Sequence, residues 1–112
     1  MDNKLYILWT NADVNTAKHM VMMYSTNAKL HSWWEEVTVI IWGATAKLVG
    51  ENAEVQEKIK TAMEAGVEFS ACKACAKELG VVKGIEAQGI EVKYWGEPLT
   101  EIIKSGAKLI TI

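Results

Sequence analysis

The sequence predicts an α/β protein built on a mostly parallel sheet of about five strands, with helices on both faces. Three observations predict this class. Short runs rich in β-branched and aromatic residues alternate along the chain with segments of helical periodicity. These runs are almost continuously apolar, which is typical of parallel strands that are covered on both faces. The pattern helix–glycine–strand also recurs at Gly66, Gly89 and Gly106, as expected of repeated helix–strand units.

The elements follow one another in strict alternation. The predicted strands are residues 4–10, 37–42, 67–70, 91–95 and 107–112. The predicted helices are residues 14–30, residues 53–65, a short segment that follows Ser70 and ends before Gly80, and residues 99–104. Pro98 is expected at the first position of the last helix, where its missing N–H costs nothing. A short turn is predicted at residues 47–49, and residues 81–88 are predicted as a connection with one helical turn.

Composition restricts the class of protein and its partners. The 112 residues are predicted to form one domain, 1–112, and 50% of them are hydrophobic. The net charge is −2 without a dense lysine cluster, which argues against a nucleic-acid or membrane-surface partner. The absence of a signal-peptide pattern and of a bilayer-length apolar run predicts a cytoplasmic protein.

Five tryptophans and five methionines are many for a chain of this size. Met22 and Met23 lie off the apolar stripe of the first predicted helix, and adjacent Trp33 and Trp34 cannot both face one core. At least one tryptophan ring is therefore expected to be exposed or packed on a partner. Because aromatic residues are enriched in interface cores, we expect a homo-oligomer.

The candidate site lies where strands of such a sheet end, because ligands of α/β proteins bind at the carboxyl edge of the sheet. The only two cysteines, Cys72 and Cys75, follow the third predicted strand. The residues predicted to line a pocket with them are Asn11, Gly43, Ala44, Thr45, Lys73 and Trp95.

Cys72 is the predicted reactive residue of this site. It is expected in the first turn of a helix, where free N–H groups and the helix dipole lower the pKa of a thiol. The competing interpretation is structural: Cys72, Cys75 and Ala76 follow a helical stripe, so both sulfurs could simply pack on the sheet. Cys75 is a possible resolving cysteine and fits the structural interpretation better.

Other site chemistries have less support. A C-x-x-C pair can form a redox disulfide, but the surrounding pattern is not that of a thioredoxin. A zinc site needs four ligands, and His19 and His31 are not spaced as partners of the cysteines, so no metal is predicted. Because the glycines match no phosphate-binding fingerprint, no cofactor is predicted either.

The chain resembles the DsrE/DsrF-like family over nearly its whole length. The resemblance depends on the first strand ending in Thr10 and Asn11, on the phrase VTVIIWG, and on GVEFSAC at residues 66–72. It implies a three-layer α/β/α sandwich and a trimer or hexamer. In characterised members it also implies a cysteine that accepts and passes on a persulfide sulfur, which corresponds to Cys72. The chain departs from the family pattern in carrying Cys75, and in placing Trp33 and Trp34 before the second strand.

Three functions are therefore open at the level of sequence. The first is a sulfurtransferase-like carrier that holds sulfane sulfur as a persulfide on Cys72 and exchanges it with sulfur donor and acceptor proteins. The second is a dithiol redox protein that uses Cys72 and Cys75 together. The third is a non-catalytic, oligomeric binding protein of the same fold.

Overall fold

Five strands form one sheet, in the order β4-β3-β2-β1-β5, within residues 3–112, which are the residues that the computed structural model describes. All neighbouring strands run parallel. The strands are β1 (Lys4–Trp9), β2 (Glu36–Ile41), β3 (Glu68–Cys72), β4 (Glu91–Lys93) and β5 (Lys108–Thr111). The predicted α/β fold is confirmed. The predicted domain starts at residue 1, and residues 1 and 2 lie outside the described residues.

The helices connect the strands in the predicted alternation. They are α1 (Val14–Thr16), a π-helical segment (Ala17–Met22), α2 (Met23–Leu30), α3 (Thr45–Glu51), α4 (Ala53–Glu64), α5 (Lys73–Glu78), α6 (Val82–Glu86) and α7 (Gly96–Lys104). The first three are contiguous and form the helix predicted at residues 14–30. Within residues 3–112, no helix is long and apolar enough to cross a bilayer.

The boundaries differ from prediction where tertiary packing decides them. α3 and α6 are helices where the sequence predicted only turns, and they pack closely: a Cβ at Gly84 would lie 3.2 Å from the Gly50 carbonyl O.

Pro98 is the third residue of α7, not the first. It is tolerated there because the N–H groups of the first helical turn have no intrahelical acceptor. The first backbone hydrogen bond of the α7 turn runs from the Leu99 N–H to the Trp95 carbonyl O, at 2.9 Å, so the Pro98 position has no hydrogen bond to lose.

The first face of the sheet carries the main core. Successive side chains of a strand point to opposite faces, so Leu5, Ile7 and Trp9 share one side of β1. They are buried in a cluster with side chains of the π-helical segment and of α2 to α6. Tyr6 and Leu8 point to the opposite side, the second face, and are only half-buried.

The second face is covered by α7 and by Trp95, and its cover is thin. Ile40, Cys72 and Trp95 are buried there, and Leu99 and Ile102 of α7 pack against them. Every residue of α7 nevertheless keeps some exposed surface. The helices thus lie on both faces, as predicted, but most of them cover the first face.

The two adjacent tryptophans before β2 have opposite environments. The indole N–H of Trp34 donates to the Tyr24 hydroxyl at 3.0 Å, and the ring packs against the core of the first face. Trp33 is 55% exposed, and its ring stacks on His31 with centroids 5.4 Å apart. Leu30, at the end of α2, is 63% exposed. The prediction that at least one tryptophan ring is exposed on the monomer is confirmed.

Candidate functional site

Cys72 lies at the carboxyl edge of the sheet. It is the last residue of β3 and the N-cap of α5, and parallel pairing sets it beside Lys93 of β4. Its side chain points to the second face, where it packs against Ile40 and Trp95 and is only 4% exposed. The carboxyl edge is where parallel α/β sheets place their ligand sites, so the location fits a functional residue.

The start of α5 does not act on Cys72 in the expected way. Within the described chain, the Cys72 side chain makes no capping hydrogen bond to the helix. The reason is strand geometry: as a residue of β3, Cys72 projects its side chain onto the face of the sheet. Cys72 thus lies at the start of the helix, as expected, but its sulfur is surrounded by the apolar side chains of Ile40 and Trp95 and by the Cys75 thiol, and no N–H group of α5 is bound to it as a cap.

Cys75, one helical turn later, is the sulfur that receives a backbone N–H. The Gly43 N–H, at the carboxyl end of β2, donates to Cys75 Sγ at 3.2 Å. Cys75 is half-buried and contacts the apolar clusters of both faces. It retains exposed surface that Cys72 lacks. The two cysteines are thus neighbours with different access to solvent.

The thiol of Cys75 is harder to ionise than an ordinary thiol. Burial raises the pKa of Cys75, and the neighbouring Cys72 raises it further. The Gly43 N–H acts in the opposite sense, because a donor stabilises the thiolate, but it does not outweigh burial. At neutral pH Cys75 is therefore a neutral thiol beside Cys72.

The turn that presents the Gly43 N–H is fixed by a buried hydroxyl. Thr45 Oγ1 lies 2.8 Å from the Trp9 carbonyl O and 2.9 Å from the Trp42 carbonyl O. The same oxygen accepts the Trp42 N–H at 3.2 Å. Gly43 itself has a φ of 70°, a left-handed conformation that glycine adopts without strain. These contacts join the ends of β1 and β2 and orient the donor toward Cys75.

Trp95 closes the second face over Cys72 through a polar network. Its indole N–H donates to Ser70 Oγ at 2.7 Å, and the Ser70 hydroxyl donates to Glu91 Oε1 at 2.9 Å. Lys93 Nζ lies 3.4 Å from Glu91 Oε1 and 4.7 Å from the centroid of the Trp95 ring. A buried indole N–H needs an acceptor, so Ser70 fixes the ring in place.

The other predicted residues do not all meet at the cysteines. Gly43 and Trp95 contact the pair directly, and Thr45 supports the Gly43 turn.

The remaining three predicted residues lie away from the cysteines. Asn11 is exposed, and its Oδ1 accepts the Asp13 N–H at 2.8 Å as part of the turn before α1. Ala44 is exposed beside a cavity of about 430 Å³ whose lining residues do not include the cysteines. Lys73 Nζ lies 5.5 Å from the centroid of the Tyr94 ring.

Ser70, Glu91 and Ile40 belong to the site, although they are not among the residues that the sequence predicts for it. The available signal was the alternation of β3: Ser70 is two residues before Cys72, and therefore lies on the same face. The pairing of β4 with β3, which sets Glu91 beside Ser70, has no such local signal.

One cavity of about 500 Å³ lies at the site, where Ser70, Glu91 and Trp95 are among its lining residues. Within residues 3–112, no group of three or more histidine, cysteine or acidic side chains could hold a metal ion. A cavity of about 680 Å³ runs along α4 and is lined by Met63 and Gln88, among others, but by none of the predicted site residues. The chemistry-bearing side chains are at the sheet edge, so we place the candidate site there.

The fold and the site together define a class: a parallel α/β protein with two neighbouring cysteines at the carboxyl edge of its sheet. The chain belongs to the DsrE/DsrF-like family, whose model matches residues 3–112. It is similar to the conserved protein of unknown function BT1422 from Bacteroides thetaiotaomicron. The two share 40% sequence identity and a TM-score of 0.96, over 98% of this chain and 95% of that one.

Two more distant structures show the same fold. The protein of unknown function MTH1491 from Methanobacterium thermoautotrophicum is 15% identical with a TM-score of 0.70, covering 99% of this chain and all (100%) of that one. The ychN protein from E. coli is 16% identical with a TM-score of 0.62, and the match covers 100% of both chains. The search of curated proteins found no match.

Removing the Ser70 hydroxyl should uncover Cys72. In Ser70→Ala the buried Trp95 N–H loses its acceptor, at a cost of about 1–3 kcal/mol. We expect the ring to leave its place more often, and Cys72 to react with iodoacetamide roughly tenfold faster. Peptide mass mapping measures the rate. Ser105→Ala, the same change at an exposed hydroxyl, is the control, and equal rates in both variants would contradict the role of Ser70.

The raised pKa of Cys75 should appear in the pH dependence of its alkylation. In Cys72→Ser, burial still keeps Cys75 protonated, so its rate with iodoacetamide should rise about tenfold per pH unit without levelling off below about pH 8.5. When the same protein is unfolded in urea, the alkylation rate should level off near the ordinary pKa of a thiol. A plateau of the folded protein near neutral pH would show that burial does not hold the thiol protonated.

Proposed function

We propose that this protein carries sulfane sulfur as a persulfide on Cys72. The observation that carries the proposal is the position of Cys72: at the carboxyl edge of the sheet, enclosed by Ile40 and Trp95, and next to a second thiol. Membership of the DsrE/DsrF-like family supports it, because the GVEFSAC segment resembles the family segment whose cysteine carries a persulfide in characterised members.

The chemistry is an exchange between sulfurs with no net oxidation. A cysteine thiolate of the site attacks the outer sulfur of a donor persulfide, the sulfur–sulfur bond of the donor breaks, and the donor leaves as a thiolate. The sulfur that is taken up is then held on Cys72. The same steps in reverse pass the sulfur to the thiolate of an acceptor. The apolar enclosure keeps water and small thiols away from the stored sulfur between the two events. Both cysteines are free thiols, which suits a reducing compartment such as the cytoplasm.

A second candidate, a dithiol redox protein, is favoured by one observation: Cys72 is close enough to Cys75 to raise its pKa. The pair would lose two electrons and two protons to a disulfide oxidant, which is reduced to two thiols, and a bond would form between the two sulfurs. The two candidates differ in what the protein carries, a sulfur atom or an electron pair.

Sulfur loading separates the two candidates. The reduced protein is incubated with glutathione persulfide, the remaining thiols are alkylated, and the intact mass and peptide masses are measured. A carrier should gain one sulfur atom per chain, located on Cys72, and Cys72→Ser should lose the stable adduct. A protein that forms only the Cys72–Cys75 disulfide, and gains no sulfur, would support the dithiol function and refute the carrier.

We also propose that the protein is a homo-oligomer, a trimer or a hexamer. The support is the apolar surface left on the monomer by Met23, Leu30 and Trp33, which is unusual for a stable monomer. Sulfur donor and acceptor proteins would then meet the assembled form.

The oligomer can be tested at Trp33. Native mass spectrometry should detect three or six chains, and Trp33→Glu should weaken the assembly by about 2 kcal/mol or more, as the loss of an interface aromatic does. Leu79→Glu, a charge placed at an exposed apolar residue at the end of α5, is the matched control. A wild-type protein that is monomeric at micromolar concentration would refute this proposal.

A further inference from the structure

We infer that Cys75 is the port of the site: sulfur enters and leaves through Cys75 and is stored on Cys72. The inference rests on the proposed function, and it assigns a role to the cysteine that the family position leaves undefined. Three observations carry it: the different exposure of the two sulfurs, the Gly43 N–H at Cys75, and the apolar enclosure of Cys72.

Access decides which cysteine meets a partner. Cys72 is 4% exposed, and its cover consists of Trp95, Ile40 and the α7 side chains. The persulfide of a donor must approach within bonding distance of the sulfur that attacks it, so Cys72 cannot receive sulfur directly while Trp95 is in place. Cys75 keeps exposed surface and contacts the same cluster as Cys72. It is the sulfur that can touch both a partner and Cys72.

The Gly43 N–H equips Cys75 for exchange. When a sulfur atom leaves Cys75, the residue becomes a thiolate, and a donor 3.2 Å from Sγ stabilises that charge. The Gly43 N–H does not have to reorient during the exchange, because Thr45 and the left-handed Gly43 already fix the turn. Burial disfavours the charged form, so the thiolate exists during exchange and is then protonated.

The internal step balances without an external oxidant or reductant. The sulfur of Cys72 attacks the outer sulfur of the Cys75 persulfide, and the bond between Cys75 Sγ and that sulfur breaks. Cys75 leaves as a thiolate and takes up the proton that Cys72 gives up. One sulfur atom moves inward as one proton moves outward, and the reverse step returns the sulfur to the surface for an acceptor thiolate.

The test follows the location of sulfur over time. Wild-type protein, Cys75→Ser and Cys72→Ser are mixed with glutathione persulfide, quenched by alkylation at successive times, and mapped by tandem mass spectrometry. In the wild type the adduct should appear first on Cys75 and then on Cys72. In Cys75→Ser the loading of Cys72 should slow by at least about tenfold, because the intramolecular step is lost. In Cys72→Ser the adduct should remain on Cys75 and decay sooner.

The outcomes are distinct. If Cys72 were loaded at equal rates in Cys75→Ser and in the wild type, or if the first adduct appeared on Cys72, the entry role of Cys75 would be refuted. The carrier function would remain intact. Absence of any sulfur adduct in the wild type would instead refute the carrier function itself. Urea unfolding checks that each variant is folded. The order of adducts in the wild type decides the question even if a variant does not fold.

Discussion

The hydrogen bond from the Trp95 indole N–H to Ser70 Oγ, 2.7 Å long, is the interaction on which the cysteine site depends. α7 covers the second face of the sheet with side chains that all keep some exposure, so it cannot enclose Cys72 alone. Trp95 supplies the missing cover, and its N–H must find an acceptor because the ring is buried. The same bond ties Trp95, the residue before α7, to β3.

The strand β3 supplies both Ser70, the acceptor of that bond, and Cys72, because alternate residues of a strand point to the same face. Ser70 and Cys72 are two residues apart and share the second face, while Phe69 and Ala71 join the core of the first face. A slip of one residue would exchange the two sets and bury Ser70 in the main core. The apolar pairing of β3 with β2, in which Ala71 lies beside Ile41, makes such a slip unfavourable. The core of the first face thus specifies the chemistry of the second.

Local patterns predict much of this fold, and the site only in part. Apolar runs and helical periodicity depend on neighbouring residues, so the five strands and the long helix at residues 14–30 follow from the sequence. The left-handed Gly66 after α4 is predicted for the same reason. The contact of Gly43 with Cys75 joins residues 32 positions apart. No local pattern encodes such a distance, so the N–H donor at Cys75 emerges only in three dimensions. The burial of Cys72, by contrast, is one of the two interpretations that its local pattern left open.

The C-x-x-C spacing has an unusual consequence here, because the change from strand to helix falls between the two cysteines. Cys72 still has strand geometry and points to the sheet face, whereas Cys75 has helical geometry and turns toward the end of β2. Two thiols of identical chemistry thus acquire different surroundings, one apolar and enclosed, the other half-buried with a fixed N–H donor. A spacing of three residues within one continuous helix would place both sulfurs on the same face and give them similar surroundings. The strand–helix junction, more than the helix dipole, is therefore what distinguishes the two sulfurs.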